Sequence, residues 1–398
     1  MAGLYIHIPF CKSRCIYCGF YSTTNLEFRQ RYVDAVCKEM ILRKDLRSEG
    51  VKEFRSSDNT QATINLSTCQ PVNLTAKINT IYLGGGTPSQ LSIAQLEQLF
   101  IYINNVYGLK DAAEVTIECN PEDVTDEYAQ ALSHLPINRV SMGVQTFDDN
   151  RLRFLHRRHN SENVYNAVER LRKAGINNIS IDLMYGFPNQ SIEEWQSDVE
   201  KAIKLNVEHI SAYSLMFEEG TQLFRMLESK KVKEIDEERS LQMFNCLIDL
   251  LGDAGYEHYE ISNFAKQGYR SQHNSSYWQG IPYIGIGAAA HSYDIKTRSW
   301  NVSDINEYIE SIENGVIPME MEFIDDDTRY NDTITTSLRT SEGIDMQKFS
   351  DKHRNYCLAN AKQFINQELL ELKDNRLRIT RKGIFVSDYI MSELIYID

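Results

Sequence analysis

Residues 4–18 read Leu4-Tyr-Ile-His-Ile-Pro-Phe-Cys11-Lys-Ser-Arg-Cys15-Ile-Tyr-Cys18. The apolar, partly β-branched run 4–8 reads as a strand, and Pro9 ends it because proline has no N–H to give a ladder. The loop that follows carries three cysteines at CxxxCxxC spacing, close enough for three thiolates to turn toward one metal or cluster. The other five, Cys37, Cys69, Cys119, Cys246 and Cys357, are scattered, as thiols that merely fill space would be. Structural zinc is one reading of the triplet, but it asks for a fourth ligand from elsewhere, and the second knuckle usual for such sites is missing. A disulfide is a poorer reading, since it strands an odd thiol. A four-iron, four-sulfur cluster normally takes four cysteines. Three leave one iron open, which is useful in the way that the open position of catalytic zinc is.

Outward from this stretch, strand-like runs follow at 80–83, 114–118, 139–143, 178–183 and 209–215. Helix-period segments separate them, such as Ile93, Leu96, Leu99 and Phe100, or Ile192, Trp195, Val199 and Ile203. Repeats of this kind imply right-handed crossovers and a parallel sheet under helices. Six such units predict an α/β fold, a partial (β/α)6 barrel, with a doubly wound sheet as the alternative. Polar residues stand where the strands should end: Glu118 with Asn120, Gln145, Asp182 with Tyr185, and Tyr213 with Ser214. Ligand sites of βα folds form at those ends. The stretch 47–77 is polar and without period, and reads as an inserted surface loop. Helix-spaced Leu241, Phe244, Leu247 and Leu251 mark a long helix over 235–254. The division this predicts is a barrel over 1–225, an extension over 226–305 and a small, mostly helical, winged-helix-like C-terminal domain over 306–398.

Composition constrains the partners. Of 398 residues, 42 are Lys or Arg and 56 are Asp or Glu, a net charge of −14. That acidity argues against nucleic acid and against an anionic membrane surface, because both reward a basic face. At 42% hydrophobic and 25% charged the chain is of soluble globular type. Residues 1–10 lack the basic start and cleavage site of a signal peptide, and no apolar run nears the roughly 18 residues of a membrane helix. A reducing, cytoplasmic setting is expected, which also suits unpaired thiols.

Four segments carry a resemblance: Tyr5-Ile-His-Ile-Pro-Phe-Cys11 with its CxxxCxxC continuation, Gly84-Gly-Gly-Thr-Pro88, Ser141-Met-Gly-Val-Gln-Thr-Phe147 and Asp182-Leu-Met-Tyr-Gly-Phe-Pro188. Together they resemble the radical S-adenosylmethionine (radical SAM) superfamily, in the branch that holds oxygen-independent coproporphyrinogen III oxidase (HemN) and the haem chaperone HemW. The likeness covers nearly the whole chain and leaves 47–77 unmatched. It implies a 4Fe-4S cluster on Cys11, Cys15 and Cys18, whose open iron binds the amino and carboxylate groups of S-adenosylmethionine. It implies further that Tyr5 and Tyr17 line the cofactor pocket and that Gly85, Gly86 and Thr87 meet the methionine end. Glu118, Gln145 and Asp182 become contacts from successive strand ends, and Arg157 the partner of the cofactor carboxylate, suited by its bidentate fork. Without the resemblance, the tyrosines read as packed aromatics and the glycines as a turn with no Lys-Ser/Thr to make a phosphate loop. The run 151–159 then reads as a solvated basic face.

His273-Asn-Ser-Ser-Tyr-Trp278 is similar to an HNxxYW segment that the HemW branch associates with haem. It makes His273 the expected iron ligand, with Tyr277 and Trp278 edging the porphyrin; the residues alone favour a satisfied core histidine. Two departures choose between the branches. Phe20 stands where HemN has a fourth cysteine, and the first cysteine already falls at residue 11. Gly19, often Asp in HemW relatives, leaves the ligands untouched. The resemblance thus implies a chaperone that hands haem to an acceptor protein, expected to be respiratory and membrane-associated. The chaperone itself is expected to be cytoplasmic or peripheral at that membrane, and a homodimer. Oxidation of coproporphyrinogen III is the alternative, and a metal-stabilised structural protein the third reading.

Overall fold

The computed structural model describes residues 2–49, 54–55, 61–62 and 77–397. Along β1 (Ala2–Ile8), Leu4, Ile6 and Ile8 are wholly buried in one apolar core. Gly3, Tyr5 and His7 alternate with them on the opposite face, as the two-residue period of a strand requires. β2 (Phe54–Arg55) and β3 (Gln61–Ala62) form only a short antiparallel pair. The alternation recurs in β4 (Ile78–Gly85), β5 (Glu114–Cys119), β6 (Arg139–Gln145), β7 (Asn178–Tyr185) and β8 (His209–Ser214). Ile81, Val115, Val140, Ile179 and Ile210 join the apolar core, while Tyr82, Glu118, Arg139, Asp182 and Ser211 share the other parity. One face of the sheet is therefore apolar under helices and the other is polar.

β1, β4, β5, β6, β7 and β8 stand side by side in chain order, all parallel. A doubly wound sheet reverses its strand order at a switch point. No reversal occurs across these six, so right-handed crossovers lay every connecting helix on one face. This is the partial barrel, and the doubly wound alternative falls away. β9 (Glu257–Glu260) and β10 (Asn263–Ala265) extend the sheet antiparallel beyond β8. β11 (Tyr283–Ile286) returns to the far edge and pairs parallel with β1. β12 (His291–Tyr293), β13 (Thr297–Asn301) and β14 (Met319–Phe323) complete a 12-stranded sheet. Helices start where the chain supplies acceptors: Ser92 with Gln95, Asn160 with Asn163 and Ser191 with Glu194 form reciprocal capping boxes.

Two expected domain boundaries move. The apolar core runs on through Met243, Phe244, Leu247, Ile284, Tyr308 and Ile317, so 1–225 and 226–305 share one sheet and one core. The boundary at 306 falls too early, because helix Ile305–Glu313 packs on helix Arg29–Glu49 and β14 belongs to the large sheet. The charges of β14 that read as a change of domain are the exposed side chains of an edge strand. A second core gathers Tyr330, Ile334, Cys357, Phe364, Leu377 and Leu394. Its elements are helix Asp326–Ser337, β15 (Ile344–Asp345), helix Asp351–Asn366, β16 (Leu370–Lys373), β17 (Arg376–Ile379) and helix Ser387–Leu394. Helix, short strand, helix and hairpin in that order form the expected winged arrangement. Of the expected insertion 47–77, the first residues continue helix Arg29–Glu49. Apart from β2, β3 and Lys77, the rest lies outside the described residues.

Candidate functional site

The carboxyl ends of the parallel strands and the loop after β1 enclose a cavity of about 320 Å³. Cys11, Cys15, Cys18, Tyr5, Tyr17, Gly85, Gly86, Thr87, Glu118, Gln145, Arg157 and Asp182 all line it. His273 does not. Backbone bonds hold the cysteine loop: Cys11 N–H donates to Thr23 O (2.9 Å) and Ile16 N–H to Leu155 O (3.2 Å). Cys11 Sγ lies 3.4 Å from Thr87 Oγ1, which ties the loop to the turn after β4. Burial pushes the Cys11 and Cys18 thiols up, so a metal must displace their protons to win thiolate ligands. Among the described residues no three His, Cys, Asp or Glu side chains converge on a single-ion site. The three thiols instead share one cavity, which suits a cube whose irons take one cysteine each. Phe20, 72% exposed, stands at the same cavity and offers no sulfur.

His156, in the left-handed region at φ 61°, turns the chain after helix Asp149–Phe154 and brings Arg157 into the cavity. Arg157 Nη2 donates to Gly143 O (2.5 Å) and Asn120 Oδ1 (2.7 Å), and its Nη1 lies 3.7 Å from Cys15 Sγ. Gly143 leaves room for this. A Cβ there would stand 2.8 Å from Gln145 Nε2 and 3.1 Å from Arg157 Nη2. Gln145 itself has φ 68°, at a register shift between β6 and β7, a conformation that costs a non-glycine residue energy and tends to collect at functional sites. Gly85, at φ 112°, passes so close to His7 that a Cβ would lie 2.5 Å from its ring. The glycine turn is therefore fixed by packing against β1 as well as by any ligand.

Two carboxyls sit deep in the cavity. Glu118 accepts from Tyr82 OH (2.8 Å) and Gly85 N–H (3.1 Å), and burial pushes it up to about 7. Burial likewise pushes Asp182 up to about 6, although a hydrogen bond from Ser211 opposes it. Arg139, 1% exposed, opposes both rises through its charge, and its Nε and Nη1 have no acceptor among the described residues. Sequence reasoning passes over Arg139, because an arginine at the first position of an apolar strand reads as a flank. Its shared parity with Ser141 and Gly143 is the signal that places it inside. Tyr82 and His7 are further residues of the site that the sequence alone does not single out, while Asn120, picked out there as a strand-end residue, meets Arg157 in the cavity; the Tyr5 hydroxyl lies 3.0 Å from His7 Nδ1.

His273 lies at the other end of the strands. Its Nδ1 is 2.8 Å from Thr80 Oγ1 and its Nε2 is 2.8 Å from Tyr277 OH. The ring stacks on Tyr82 at 5.2 Å, and its backbone N–H donates to buried Glu114 (2.9 Å). The side chain is 0% exposed, and burial pushes it down to about 3. With both nitrogens paired and no surface, the imidazole is a satisfied core group and not the open iron ligand expected from the sequence.

Residues 72–202 match the radical SAM superfamily model and residues 324–386 the HemN C-terminal domain model. The chain is 33% identical over 400 residues to heme chaperone HemW of Lactococcus lactis, covering 99% of this chain and 97% of that protein. It is 34% identical over 360 residues to heme chaperone HemW of Bacillus subtilis, covering 89% and 87%. In fold it is similar to coproporphyrinogen III oxidase (HemN) from Escherichia coli, with a TM-score of 0.80 at 21% identity, over 99% of this chain and 90% of that one.

Proposed function

This chain belongs to the heme chaperone HemW family of the radical SAM superfamily, and from that premise we propose that it binds haem and delivers it to an acceptor protein. Its resident groups are a 4Fe-4S cluster and S-adenosylmethionine. The observation that supports the cofactor site is the meeting of the cysteine loop, the glycine turn, Glu118, Asp182 and Arg157 around one cavity. Cys11, Cys15 and Cys18 hold the cluster, which, when bound, offers an open iron to the amino and carboxylate groups of S-adenosylmethionine. Arg157 is held in place by its Nη2, which donates to Asn120 Oδ1 and Gly143 O, and its Nη1, beside the cysteine loop, meets the cofactor carboxylate through a charge-assisted hydrogen bond. Glu118 and Asp182 accept from the cofactor's cationic and hydroxyl groups. Tyr5 and Tyr17 wall the cavity, and Gln145 and Thr87 supply neutral polar contacts. No described helix is long and apolar enough to cross a membrane.

The test is anaerobic reconstitution followed by iron and acid-labile sulfide analysis and hemin titration. About four irons and four sulfides per chain, with hemin retained on gel filtration, is the expected result. Zinc alone, or no hemin bound, would overturn the reading.

A further inference from the structure

A second cavity, of about 710 Å³, lies between the edge of the large sheet and the C-terminal domain. It is larger than the cysteine cavity (about 320 Å³) and falls in the usual range of small-molecule sites. Its sheet-side wall is aromatic. Tyr277 meets Tyr283 edge-on at 4.6 Å, Tyr283 stacks with Tyr293 at 6.2 Å, and Trp278 continues the wall. The hydroxyls of Tyr283 and Tyr293 make no hydrogen bond among the described residues, which leaves flat apolar faces with polar edges.

The opposite side carries five cations, Arg270, Arg298, Arg329, Lys348 and Arg376, against the three carboxylates of Asp332, Glu342 and Asp345, the last opposite Arg376 in the strand pair. Of the basic side chains lining the cavity, Arg270 and Arg298 are neutralised by Glu342 and Asp332 at 2.5 and 2.6 Å. Arg376 is different: its Nη1 reaches only the backbone oxygen of Glu342, at 3.4 Å. Lys348 has no ion pair among the described residues. Two further donors of the lining, Trp278 Nε1 and Arg329 Nε, are buried without an acceptor among the described residues, and a buried donor left unpaired is costly. Aromatic faces beside uncommitted cations and unanswered donors describe a ligand that is flat, apolar and carboxylated.

We propose that this cleft is the haem seat, with the tetrapyrrole against the Tyr277–Trp278–Tyr283–Tyr293 wall and its propionates on Arg376 and Lys348. The proposal rests on the haem-chaperone reading and adds the place. It also gives the HNxxYW segment a different use from the one its histidine implied. His273 faces the barrel interior and anchors the short helix, whereas Tyr277 and Trp278, one turn on, present the segment to the cleft. The lining contains no imidazole, thiol or thioether, so recognition here works through the ring and the carboxylates, and metal-free protoporphyrin IX should obey the same rules as hemin.

The experiment titrates the full-length, cluster-loaded protein with hemin and with protoporphyrin IX, and compares the Arg376→Ala/Lys348→Ala double variant and Tyr293→Ala. Among the described residues none of these side chains carries an ion pair or a hydrogen bond to another side chain, and circular dichroism and iron content check that each variant is folded and loaded. Loss of about ten-fold or more in affinity for both ligands in the double variant is expected, the scale of losing charge-assisted contacts, together with a weaker complex for Tyr293→Ala. If the parent binds hemin and both variants bind it equally well, haem sits elsewhere and the cleft assignment fails while the chaperone reading stands. If the parent binds no hemin, the chaperone reading fails and the cleft assignment with it.

Discussion

A carboxyl buried as Glu118 is, accepting from Tyr82 OH and the Gly85 N–H, prefers its proton. Its value near 7, against an ordinary 4.5, means the folded chain holds that proton more tightly than the unfolded one. The stabilisation is complete below pH 4.5 and is lost as pH rises through 7. Across that window the cofactor-free parent should lose about 3 kcal/mol more stability than Glu118→Gln. Urea melts at a series of pH values check this, and parallel curves would contradict it. A cationic cofactor reverses the preference, so S-adenosylmethionine should bind more tightly to the parent as pH rises through 6 to 7, less so to the variant. His273 makes the complementary point. Losing two paired nitrogens and a stacked ring, His273→Ala should cost about 3 kcal/mol of stability in thermal or urea unfolding; an unchanged melting curve would mean the ring is not the core group described. The three clustered cysteines are legible in the sequence because spacing on one loop is itself geometry. The burial of His273 is not, since HNxxYW fixes which residues share a helix turn but not which side faces the barrel.

At the scale of elements, β5, β6 and β7 each carry toward their carboxyl end a residue that lines the cavity, Glu118, Gln145 and Asp182, whereas Tyr213 and Ser214 at the end of β8 do not; the turns do the aiming. The sequence makes this visible as polar residues closing apolar runs, which is why Glu118, Gln145 and Asp182 could be picked out together. The bends that aim them are less visible. The left-handed Gln145 and His156 are not glycines, so nothing in their identity announces the conformation. Gly143→Ala tests the end of β6 directly, because the new Cβ would crowd Gln145 and Arg157. The expected outcome is a roughly ten-fold weaker S-adenosylmethionine complex with the iron content unchanged, measured by equilibrium binding on loaded protein. On the cysteine loop, Cys11→Ala, Cys15→Ala and Cys18→Ala should each lose the cluster's visible absorbance. Cys37→Ala and Cys119→Ala, whose thiols are buried outside the loop, should keep it.

At the scale of the whole molecule, the sheet is closed late. β1 receives its second neighbour only from β11, so a fragment ending at residue 225 leaves Gly3, Leu4, Tyr5 and Ile6 on an open, apolar edge. Such a fragment should aggregate, whereas residues 324–398, with their own core, should give a helical spectrum and a cooperative melt. The βα alternation carried the barrel in the sequence; the return of β11 did not show, because pairing between residues 280 positions apart leaves no local period. The same long-range return sets the HNxxYW helix beside the C-terminal domain and so makes the second cavity. The central claim is that this scaffold carries haem and does not make it. It is tested most directly by incubating the cluster-loaded protein, S-adenosylmethionine and a reductant anaerobically, once with hemin and once with coproporphyrinogen III. A stable hemin complex and unchanged coproporphyrinogen are expected; formation of protoporphyrinogen IX in stoichiometric or greater amount would contradict the chaperone function.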